Sequence, residues 1–401
     1  MVGTMAKIDD SVKKKVPELR FPGFTDDWEE RKLGEHSNIL TGGTPKTSMS
    51  NYWNPKEIPW MSSGEVNKRR LNETDNMISK EGLENSSARW VKENSIVIAL
   101  AGQGKTRGTV AVNNIPLTTN QSIAAIEPYE TLNFEFIFQN LSKRYDELRM
   151  MSSGDGTRGG LNKKIIYDII ITAPILEEQQ KIGSFFKQLD NTIALHQRKL
   201  DLLKEQKKGY LQKMFPKNGA KVPELRFAGF ADDWEERKLG DITKISTGKL
   251  DANAMVENGK YDFYTSGIKK YRIDVAAFEG PSITIAGNGA TVGYMHLADN
   301  KFNAYQRTYV LQEFLVDRSF IFSEIGNKLP KKIKQEARTG NIPYIVMDML
   351  TELKLSIPQN NSEQQKIGSF FKQLDDTIDL HQRKLDLLKE QKKGFLQKMF
   401  V

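Results

Sequence analysis

Apolar residues recur with a helical period in two long stretches of the chain. Between residues 182 and 214, and again between 367 and 399, they follow each other at alternating intervals of four and three positions. This spacing places them along one side of an α-helix, at the a and d positions of a heptad repeat. A helix from residue 178 to residue 214 would be roughly 55 Å long at about 1.5 Å per residue. The predicted seam residues are Ile182, Phe186, Leu189, Ile193, Leu200, Leu203, Ile367, Phe371, Leu374, Ile378, Leu385 and Leu388.

An apolar seam of this length must be covered by another surface. Because the chain leaves the first helix, passes through an intervening segment and then enters the second, we predict that the two helices pack antiparallel within one molecule. They would form an intramolecular coiled coil with pseudo-twofold symmetry. Pairing of the seam between two chains is the alternative. Four polar residues at seam positions are interpreted as setting the register rather than as catalytic groups: His196, Lys207, His381 and Lys392.

The two helical stretches are near copies of each other, and so are two shorter segments. Residues 178–215 return as 363–400 with three substitutions, at 191/376, 194/379 and 210/395, and residues 16–34 return as 222–240 with two. The segments between these copies share almost no sequence. This order predicts one frame that holds two different modules. The predicted boundaries are 1–15 for an N-terminal extension, 16–176 for a first variable domain, 177–215 for a first spacer helix, 216–361 for a second variable domain and 362–401 for a second spacer helix.

Short apolar runs predict β-strands in both variable domains. In the first domain, a run at 95–100 is followed by a glycine-rich stretch and a second run at 109–112; in the second, a run at 282–286 leads into a glycine-rich stretch at 287–293. Strand, glycine-rich turn and strand is the pattern of a β-hairpin. We therefore expect the two domains to share one fold. The predicted fold class is α+β, with two β-rich domains joined by the two long antiparallel helices.

The short repeat contains Asp-Asp-Trp-Glu-Glu-Arg-Lys-Leu-Gly in both copies. Asp is frequent at the start of helices and Gly at their end, so the segment predicts a short capped helix that stops at Gly34 in the first copy and Gly240 in the second. Trp28 and Trp234 are interpreted as anchors in the hydrophobic core rather than as base-stacking groups.

Charge and composition narrow the possible functions. The chain has 59 Lys and Arg against 51 Asp and Glu, a net charge of +8, which suits a polyanionic partner such as nucleic acid. It has no Cys, so disulfides, thiolate zinc sites and cysteine nucleophiles are excluded, as expected of a cytoplasmic protein. The four histidines are too dispersed for a metal site. No apolar run reaches the roughly 20 residues of a membrane span, so no membrane association is expected.

Basic and amide side chains in or near glycine-rich loops are the candidate nucleic-acid contacts. Lys and Arg bind phosphates and base edges, and Asn and Gln can bond bidentately to adenine. The candidates in the first domain are Lys46, Lys68, Arg69, Lys105, Arg107, Asn120, Gln121 and Arg158. The candidates in the second domain are Lys249, Lys269, Lys270, Arg272, Asn288, Gln306, Arg307, Lys331, Lys332, Lys334 and Arg338.

A Gly-Lys-Thr sequence at 104–106 invites comparison with a phosphate-binding loop. That motif needs a glycine five positions earlier, where Ala99 stands, and a helix after it, where the sequence predicts a strand. We therefore reject an ATPase or nuclease built on Lys105. The sequence also lacks an adenine-methylation Asn/Asp-Pro-Pro-Tyr/Phe motif, a glycine-rich S-adenosylmethionine fingerprint and a serine or histidine triad. No catalytic, cofactor-binding or metal-binding residues are predicted.

The repeated motifs carry a family resemblance. They are Trp-Glu-Glu-Arg-Lys-Leu-Gly before each variable domain, Thr-Gly-Gly-Thr-Pro at 41–45, and Leu-Glu-Glu-Gln-Gln-Lys-Ile at 176–182 with its echo at 362–367. In this order and in duplicate, the sequence resembles the specificity subunits of type I restriction–modification systems over essentially its whole length. The second domain departs from the pattern, since Ser-Thr-Gly-Lys at 246–249 replaces the Thr-Gly-Gly-Thr-Pro sequence.

The resemblance implies a non-catalytic, sequence-specific DNA-binding subunit. Each variable domain would be a target-recognition domain that reads one half of a bipartite site, while the helices set the spacer and dock partner subunits. The implied partners are double-stranded DNA, two modification (methyltransferase) subunits and restriction (translocase/nuclease) subunits. S-adenosylmethionine, ATP and Mg²⁺ would be bound by those partners and not by this chain. A helical interaction scaffold that binds no nucleic acid is the alternative.

Overall fold

The structure, a computed structural model, describes residues 16–102, 106–151, 160–217, 219–336 and 343–401. The chain divides into two units: unit 1 comprises Met1–Leu195 and Leu385–Val401, and unit 2 comprises His196–Lys384. The borders fall inside the two long helices. Each unit therefore contains one variable domain together with a part of both helices.

Unit 1 is built on three β-sheets. Its strands are β1 (Glu29–Lys32), β2 (Ser37–Thr41), β3 (Ile58–Met61), β4 (Arg70–Leu71), β5 (Asn76–Ile78), β6 (Trp90–Val91), β7 (Ser95–Ala99), β8 (Val110–Asn113), β9 (Leu117–Thr119), β10 (Ile123–Pro128) and β11 (Ile170–Ala173). Its helices are α1 (Lys80–Glu84), α2 (Phe134–Lys143), α3 (Tyr145–Met150), α4 (Lys163–Tyr167) and the first part of α5 (Leu176–Lys213). The strand orders are β2-β10-β7-β8-β4, β5-β3-β9-β6 and β1-β11.

Unit 2 repeats this plan with one strand fewer. Its strands are β12 (Trp234–Lys238), β13 (Lys244–Thr247), β14 (Tyr261–Tyr264), β15 (Tyr271–Ile273), β16 (Phe278–Glu279), β17 (Ser282–Ala286), β18 (Met295–Ala298), β19 (Lys301–Ala304), β20 (Thr308–Gln312) and β21 (Lys354–Pro358). Its helices are the second part of α5, α6 (Leu239–Ile242), α7 (Arg318–Glu336), α8 (Met347–Thr351) and most of α9 (Asn361–Met399). The strand orders are β13-β20-β17-β18, β15-β14-β19-β16 and β12-β21.

The two predicted hairpins and the shared fold are confirmed. β7 pairs antiparallel with β8, and β17 pairs antiparallel with β18. Both β7 and β17 are buried at every position, as expected for apolar runs in the middle of a covered sheet. In each unit a parallel pair, β3 with β9 or β14 with β19, forms the centre of the second sheet. The two variable sequences therefore build one topology.

The prediction of a short capped helix in the Asp-Asp-Trp-Glu-Glu-Arg-Lys-Leu-Gly segment is wrong. The segment forms β1 in unit 1 and β12 in unit 2, which pair antiparallel with β11 and β21. The segment forms a strand rather than a helix because its backbone can pair with β11 in unit 1 and with β21 in unit 2. No local sequence signal reveals these partners. Only one turn of helix follows, at Leu33–Glu35 and at α6. The predicted core role of Trp28 and Trp234 is confirmed, since their exposures are 2% and 5%.

The two long helices run antiparallel against each other inside each unit. In unit 1, the ring of Phe185 in α5 lies 5.1 Å from that of Phe395 in α9. In unit 2, the ring of Tyr210 in α5 lies 5.0 Å from that of Phe370 in α9. As the residue number rises along α5 from 185 to 210, the number of the contacting residue on α9 falls from 395 to 370, so the two helices are antiparallel. All twelve predicted seam residues are buried or half-buried, and the contacts are made within one chain.

The polar seam residues pair with partners on the opposite helix. Lys392 bonds to Asp190 at 2.5 Å in unit 1, and its repeat equivalent Lys207 bonds to Asp375 in unit 2. Burial lowers the pKa of Lys392, and Asp190 opposes that shift. The rings of His196 and His381 lie 5.7 Å apart. These pairs fix which residues face each other, in line with the register-setting interpretation.

In the described residues, no helix is apolar over a length that would cross a bilayer.

Candidate nucleic-acid interface

Several loops of unit 2 lie side by side at one edge of its sheets. Because β14 and β19 are parallel, and β20 is antiparallel to β13 and β17, the ends of β13, β14, β17 and β19 meet the start of β20. Backbone hydrogen bonds join their loops: the Gly287 amide donates to the Arg307 carbonyl at 2.9 Å, and the Gln306 amide donates to the Leu250 carbonyl at 2.8 Å. We name this edge, with its loops 248–250, 265–270, 287–293 and 305–307, the strand-end surface of unit 2.

A segment distant in sequence completes this surface. Asn288 and Tyr344 form an antiparallel β-bridge, and the Ile345 amide donates to the Gly287 carbonyl at 2.7 Å. The Ser266 hydroxyl bonds to the Asn288 side chain. Sequence reasoning missed Tyr344, which is 53% exposed. No periodic signal marks it, since its position depends on a contact across more than fifty residues.

The strand-end surface collects several of the predicted contacts in unit 2. They are Lys249, Lys269, Lys270, Asn288, Gln306 and Arg307. The ammonium groups of Lys269 and Lys270 lie 5.3 and 5.4 Å from the ring centres of Tyr271 and Tyr264. Such cation–π contacts hold the two charges near the loop without neutralising them.

Unit 1 builds an equivalent strand-end surface from different side chains. The Gly43 amide donates to the Thr119 carbonyl at 2.9 Å, and the Asn120 amide donates to the Met61 carbonyl at 3.0 Å. The Thr44 hydroxyl donates to the Gln121 side-chain oxygen at 2.6 Å. Three predicted contacts, Lys46, Asn120 and Gln121, meet here. Each surface thus carries two of the predicted amide contacts, while the unit 2 surface carries four predicted cations and the described part of the unit 1 surface carries one.

One glycine in each unit makes the two surfaces possible. A Cβ at Gly42 would lie 1.9 Å from the Thr119 carbonyl oxygen, and a Cβ at Gly248 would lie 1.9 Å from the Ala304 carbonyl oxygen. Only glycine tolerates such an approach of two backbones. The Thr-Gly sequence shared by both domains thus has a structural cause, although the residues after it differ.

Several of the predicted nucleic-acid contacts lie outside the strand-end surfaces, where their side chains interact with other residues of the chain. Lys68 binds Asp75 at 2.7 Å and Glu65 at 3.1 Å, and the hydrogen bond that it donates to Asp75 is the largest cause of its raised pKa. Arg69 lies over the ring of Phe138 at 5.2 Å. In unit 2, Arg272 binds Asp262 at 2.5 Å.

The remaining predicted contacts fall into three groups. Arg107 lies in the β7–β8 turn and donates to the Arg149 carbonyl at 3.1 Å. Lys331, Lys332 and Lys334 lie on α7, where Lys332 pairs with Glu336. Lys105, Arg158 and Arg338 lie outside the described residues.

Two titratable side chains beside the unit 2 surface, Tyr264 and His296, are uncharged at neutral pH. Burial raises the pKa of Tyr264 to about 12 and lowers the pKa of His296. Both side chains therefore offer neutral hydrogen-bonding groups, and the positive potential comes from the lysines and Arg307. Among the described residues no group of three His, Asp or Glu side chains is placed to hold a metal ion.

Exposed leucines lie on the long helices in each unit, Leu195 and Leu387 in unit 1 and Leu202 and Leu380 in unit 2. Leu195 and Leu202 on α5, and their repeat equivalents Leu380 and Leu387 on α9, are 64%, 50%, 59% and 58% exposed. They stand seven residues apart on each helix, next to the seam residues but outside the seam. Exposed leucines in register on a helix are typical of a docking surface for another protein.

Comparisons with known proteins point to one family. A family model described as "Type I restriction modification DNA specificity domain" matches residues 25–205 and 231–390. The type I restriction enzyme EcoDI specificity subunit of Escherichia coli is 34% identical over 148 residues, which cover 36% of this chain and 33% of that protein. The MjaVIII specificity subunit of Methanocaldococcus jannaschii is 22% identical over 424 residues, which cover 96% of this chain and 93% of the relative.

A solved structure shares the fold. The crystal structure of the type I restriction–modification system S subunit from M. genitalium matches with a TM-score of 0.73 and 16% identity, and the match covers 96% of this chain and 99% of that one. At this identity the likeness establishes the fold alone.

Proposed function

Since the chain belongs to the family of type I restriction–modification DNA specificity proteins, we propose that it is the non-catalytic subunit that selects the DNA site for such a system. Each of its two matched regions is a DNA specificity domain. In the proposal, each domain reads one half of a bipartite site through its strand-end surface. The long helices set the unread distance between the two halves.

One observation carries this proposal. The same backbone edge is built twice, by β2, β3, β7 and β9 in unit 1 and by β13, β14, β17 and β19 in unit 2, with unlike side chains on the loops. Basic and amide groups suit phosphate and base-edge contacts. A duplicated reader with different side chains would recognise two different half-sites.

The proposed partners supply the chemistry. Two modification subunits that use S-adenosylmethionine would dock on the helix surface of Leu195, Leu202, Leu380 and Leu387, and restriction subunits that use ATP and Mg²⁺ would join them. The chain itself would bind none of these cofactors and would act in the cytoplasm, where the DNA is. Retention of the helix sequence in both copies suits a surface that must fit the same partner twice.

Exchange of one domain tests the proposal. Residues 35–176 would be replaced by the corresponding domain of a relative, and methylated adenines would be mapped after co-expression with the modification subunit. We expect one half of the site to change and the other to stay. A change in both halves would refute separate reading, and methylation or ATP hydrolysis by the purified chain alone would refute the non-catalytic assignment.

Salt dependence separates the proposal from a scaffold that binds no nucleic acid. Neutralised phosphates release counterions, so the logarithm of a DNA affinity should fall linearly with the logarithm of salt concentration. A chain that shows no saturable DNA binding at low salt, alone or with its modification subunit, would favour the scaffold.

A further inference from the structure

The outer edge of the main sheet differs between the two units. In unit 1 the fifth strand, β4, pairs in parallel with β8, with Arg70 opposite Val112. The amides of Val112 and Asn114 donate to carbonyls of the β4 segment, each at 2.9 Å. In unit 2 the strand that corresponds to β8 is β18, and among the described strands it pairs with β17 alone. The edge that β4 covers in unit 1 is thus open in unit 2.

The residues of β18 are more exposed to solvent than those of β8. Every residue of β8 is buried, whereas three of the four residues of β18, Met295 to Leu297, are half-exposed. An unpaired edge presents backbone donors and acceptors that can accept another strand. By alignment of the two hairpins, Leu297 and Asp299 stand where Val112 and Asn114 bond to β4.

A groove of about 750 Å³ lies beside this open edge. β18 forms one wall, α7 a second and α9 a third. The α7 wall combines three small residues, Ser319, Ser323 and Gly326, with Phe322 and Pro330. The α9 wall carries three carboxylates, Asp375, Asp376 and Asp379, and one lysine, Lys372.

In unit 1 the corresponding space is filled by side chains. Arg70 of β4 donates to both oxygens of Glu135 at 3.0 and 2.5 Å and lies 3.7 Å from Asp190. Gln139 donates to Asp190 at 2.9 Å. Phe136 and Phe320 pack on the equivalent tryptophans, so Glu135 and Gln139 correspond to Ser319 and Ser323, and Asp190 corresponds to Asp375. Unit 2 therefore keeps the carboxylate and lacks the guanidinium that approaches it.

The helix repeat adds negative charge at this same place. Residues 178–215 and 363–400 differ at three positions, and two of these replace Asn191 and Ala194 by Asp376 and Asp379. Neither aspartate forms an ion pair with the described residues, while Asp375 is held by Lys207. Burial raises the pKa of Asp375, and the two neighbouring carboxylates raise it further. Four aspartates (Asp299, Asp375, Asp376 and Asp379) and three lysines (Lys207, Lys270 and Lys372) line the groove, so its acids outnumber its cations by one.

We propose that the open edge of β18 and the acidic groove beside it bind an extended, arginine-bearing segment of a partner protein. The segment adds to the sheet as a fifth strand, parallel to β18, and bonds to the amides of Leu297 and Asp299. Its arginine enters the groove as Arg70 does in unit 1 and pairs with the α9 carboxylates. Backbone pairing gives affinity, and the guanidinium–carboxylate fork gives specificity.

The chain supplies its own probe for this site. A fluorescein-labelled peptide with the sequence of residues 66–72, Val-Asn-Lys-Arg-Arg-Leu-Asn, carries the β4 strand of unit 1. Fluorescence anisotropy with the full-length chain should show saturable binding. A peptide with alanine at the position of Arg70 should bind about tenfold more weakly, since it loses the charge-assisted fork.

Variants of the chain locate the site. Asp376→Asn combined with Asp379→Ala restores the residues of the first helix copy and should weaken the peptide about tenfold. Glu235→Gln combined with Glu257→Gln removes the same charge from exposed positions elsewhere in unit 2 and should leave binding unchanged. Hydrogen exchange should slow at 295–299 when the peptide is bound.

Four results would overturn the proposal. They are the absence of saturable binding, equal weakening by both double variants, protection from exchange away from β18, and equal affinity for free arginine, which would mean that no strand is added. A loss of chain self-association in the Asp376→Asn, Asp379→Ala variant would assign the edge to a second copy and overturn the partner assignment. None of these readouts depends on methylation or DNA binding.

Discussion

The guanidinium of Arg20 donates two hydrogen bonds to the carboxylate of Glu178, at 2.9 and 2.7 Å, and the side chain of Glu178 is fully buried. Arg226 and Glu363 repeat the pair in unit 2 at 2.7 and 2.8 Å. The arginine belongs to the short repeat and the glutamate to the first turns of the long helix. These two pairs explain why both repeated segments keep their sequence.

Removal of the carboxylate should destabilise one unit strongly. We expect Glu178→Ala to lower the free energy of unfolding of unit 1 by about 3–5 kcal/mol, because Arg20 is left largely buried without its partner. The measurement is urea denaturation followed by hydrogen exchange of β7 and β10. The control is Glu177→Ala, which removes an exposed carboxylate paired with Lys181 and should cost less than about 1 kcal/mol. If Glu178→Ala lowers the free energy of unfolding no more than Glu177→Ala does, the Arg20–Glu178 pair does not stabilise unit 1 as proposed.

A buried phenylalanine follows each long helix, and each should stabilise a different unit: Phe400 stabilises unit 1 and Phe215 stabilises unit 2. Phe400 is 2% exposed, with its ring 5.1 Å from that of Phe136 in the core of unit 1, and Phe215 lies 5.6 Å from Phe320 in unit 2. Phe400→Ala should cost unit 1 about 3–5 kcal/mol through the cavity it leaves. Hydrogen exchange should then accelerate in β10 and stay unchanged in β20, with the reverse for Phe215→Ala. Equal acceleration in both units for either variant would disprove selectivity.

The stability of unit 2 should depend on pH largely through the buried carboxyl group of Glu324. Burial raises the pKa of Glu324 from 4.5 to about 7. The folded state therefore holds a proton that the unfolded state has lost, so its stabilising contribution is complete below pH 4.5 and is lost as pH rises toward 7. The loss amounts to about 3 kcal/mol at most. Denaturation of Glu324→Gln between pH 4.5 and 7 should show a clearly smaller slope, and the remainder comes from Asp375 and His296, whose pKa values are also shifted.

Unit 1 provides an internal control for this titration. Asn140 occupies the position in α2 that Glu324 occupies in α7, so hydrogen exchange of β10 should not show the slope that β20 shows. A slope of unchanged size in the Glu324→Gln variant would assign the titration to another group.

The salt dependence of DNA binding should single out the cations of the strand-end surface. Lys249→Ala and Arg307→Ala should each lower the slope of log affinity against log salt by about 0.9, the value for one phosphate contact. The matched control is Lys68→Ala, because Asp75 and Glu65 already neutralise that lysine. If Lys68→Ala lowers the slope as much as Lys249→Ala, the assignment of the surface is wrong.

The exposed leucines of the helices should govern assembly rather than folding. Leu202→Gln combined with Leu387→Gln should weaken binding of the modification subunit at least tenfold, since each leucine side chain contributes about 1.5–3 kcal/mol when buried. Isothermal titration calorimetry measures the affinity, and an unchanged melting temperature shows that the fold is intact. Normal affinity in this variant would place the docking surface elsewhere.

Hydrophobic spacing predicted both long helices and their antiparallel pairing because a heptad seam is a local pattern and the chain path leaves few ways to cover it. Both hairpins were also predicted, since a buried apolar run followed by glycines is a local signal. The Asp-Asp-Trp-Glu-Glu-Arg-Lys-Leu-Gly segment was mispredicted because β1 and β12 depend on partner strands about 120 or more residues away.

Sequence alone determined the duplication, the α+β class and the chemical types available for binding DNA, because repeats, periodicity and composition are properties of the chain. Only the tertiary structure decided which side chains meet. It brought Asn288, Arg307 and Tyr344 to one edge and bound Lys68 and Arg272 to acids elsewhere. It also left β18 without the strand that β8 has. Such outcomes depend on contacts between residues far apart in sequence, whose energies no local pattern records.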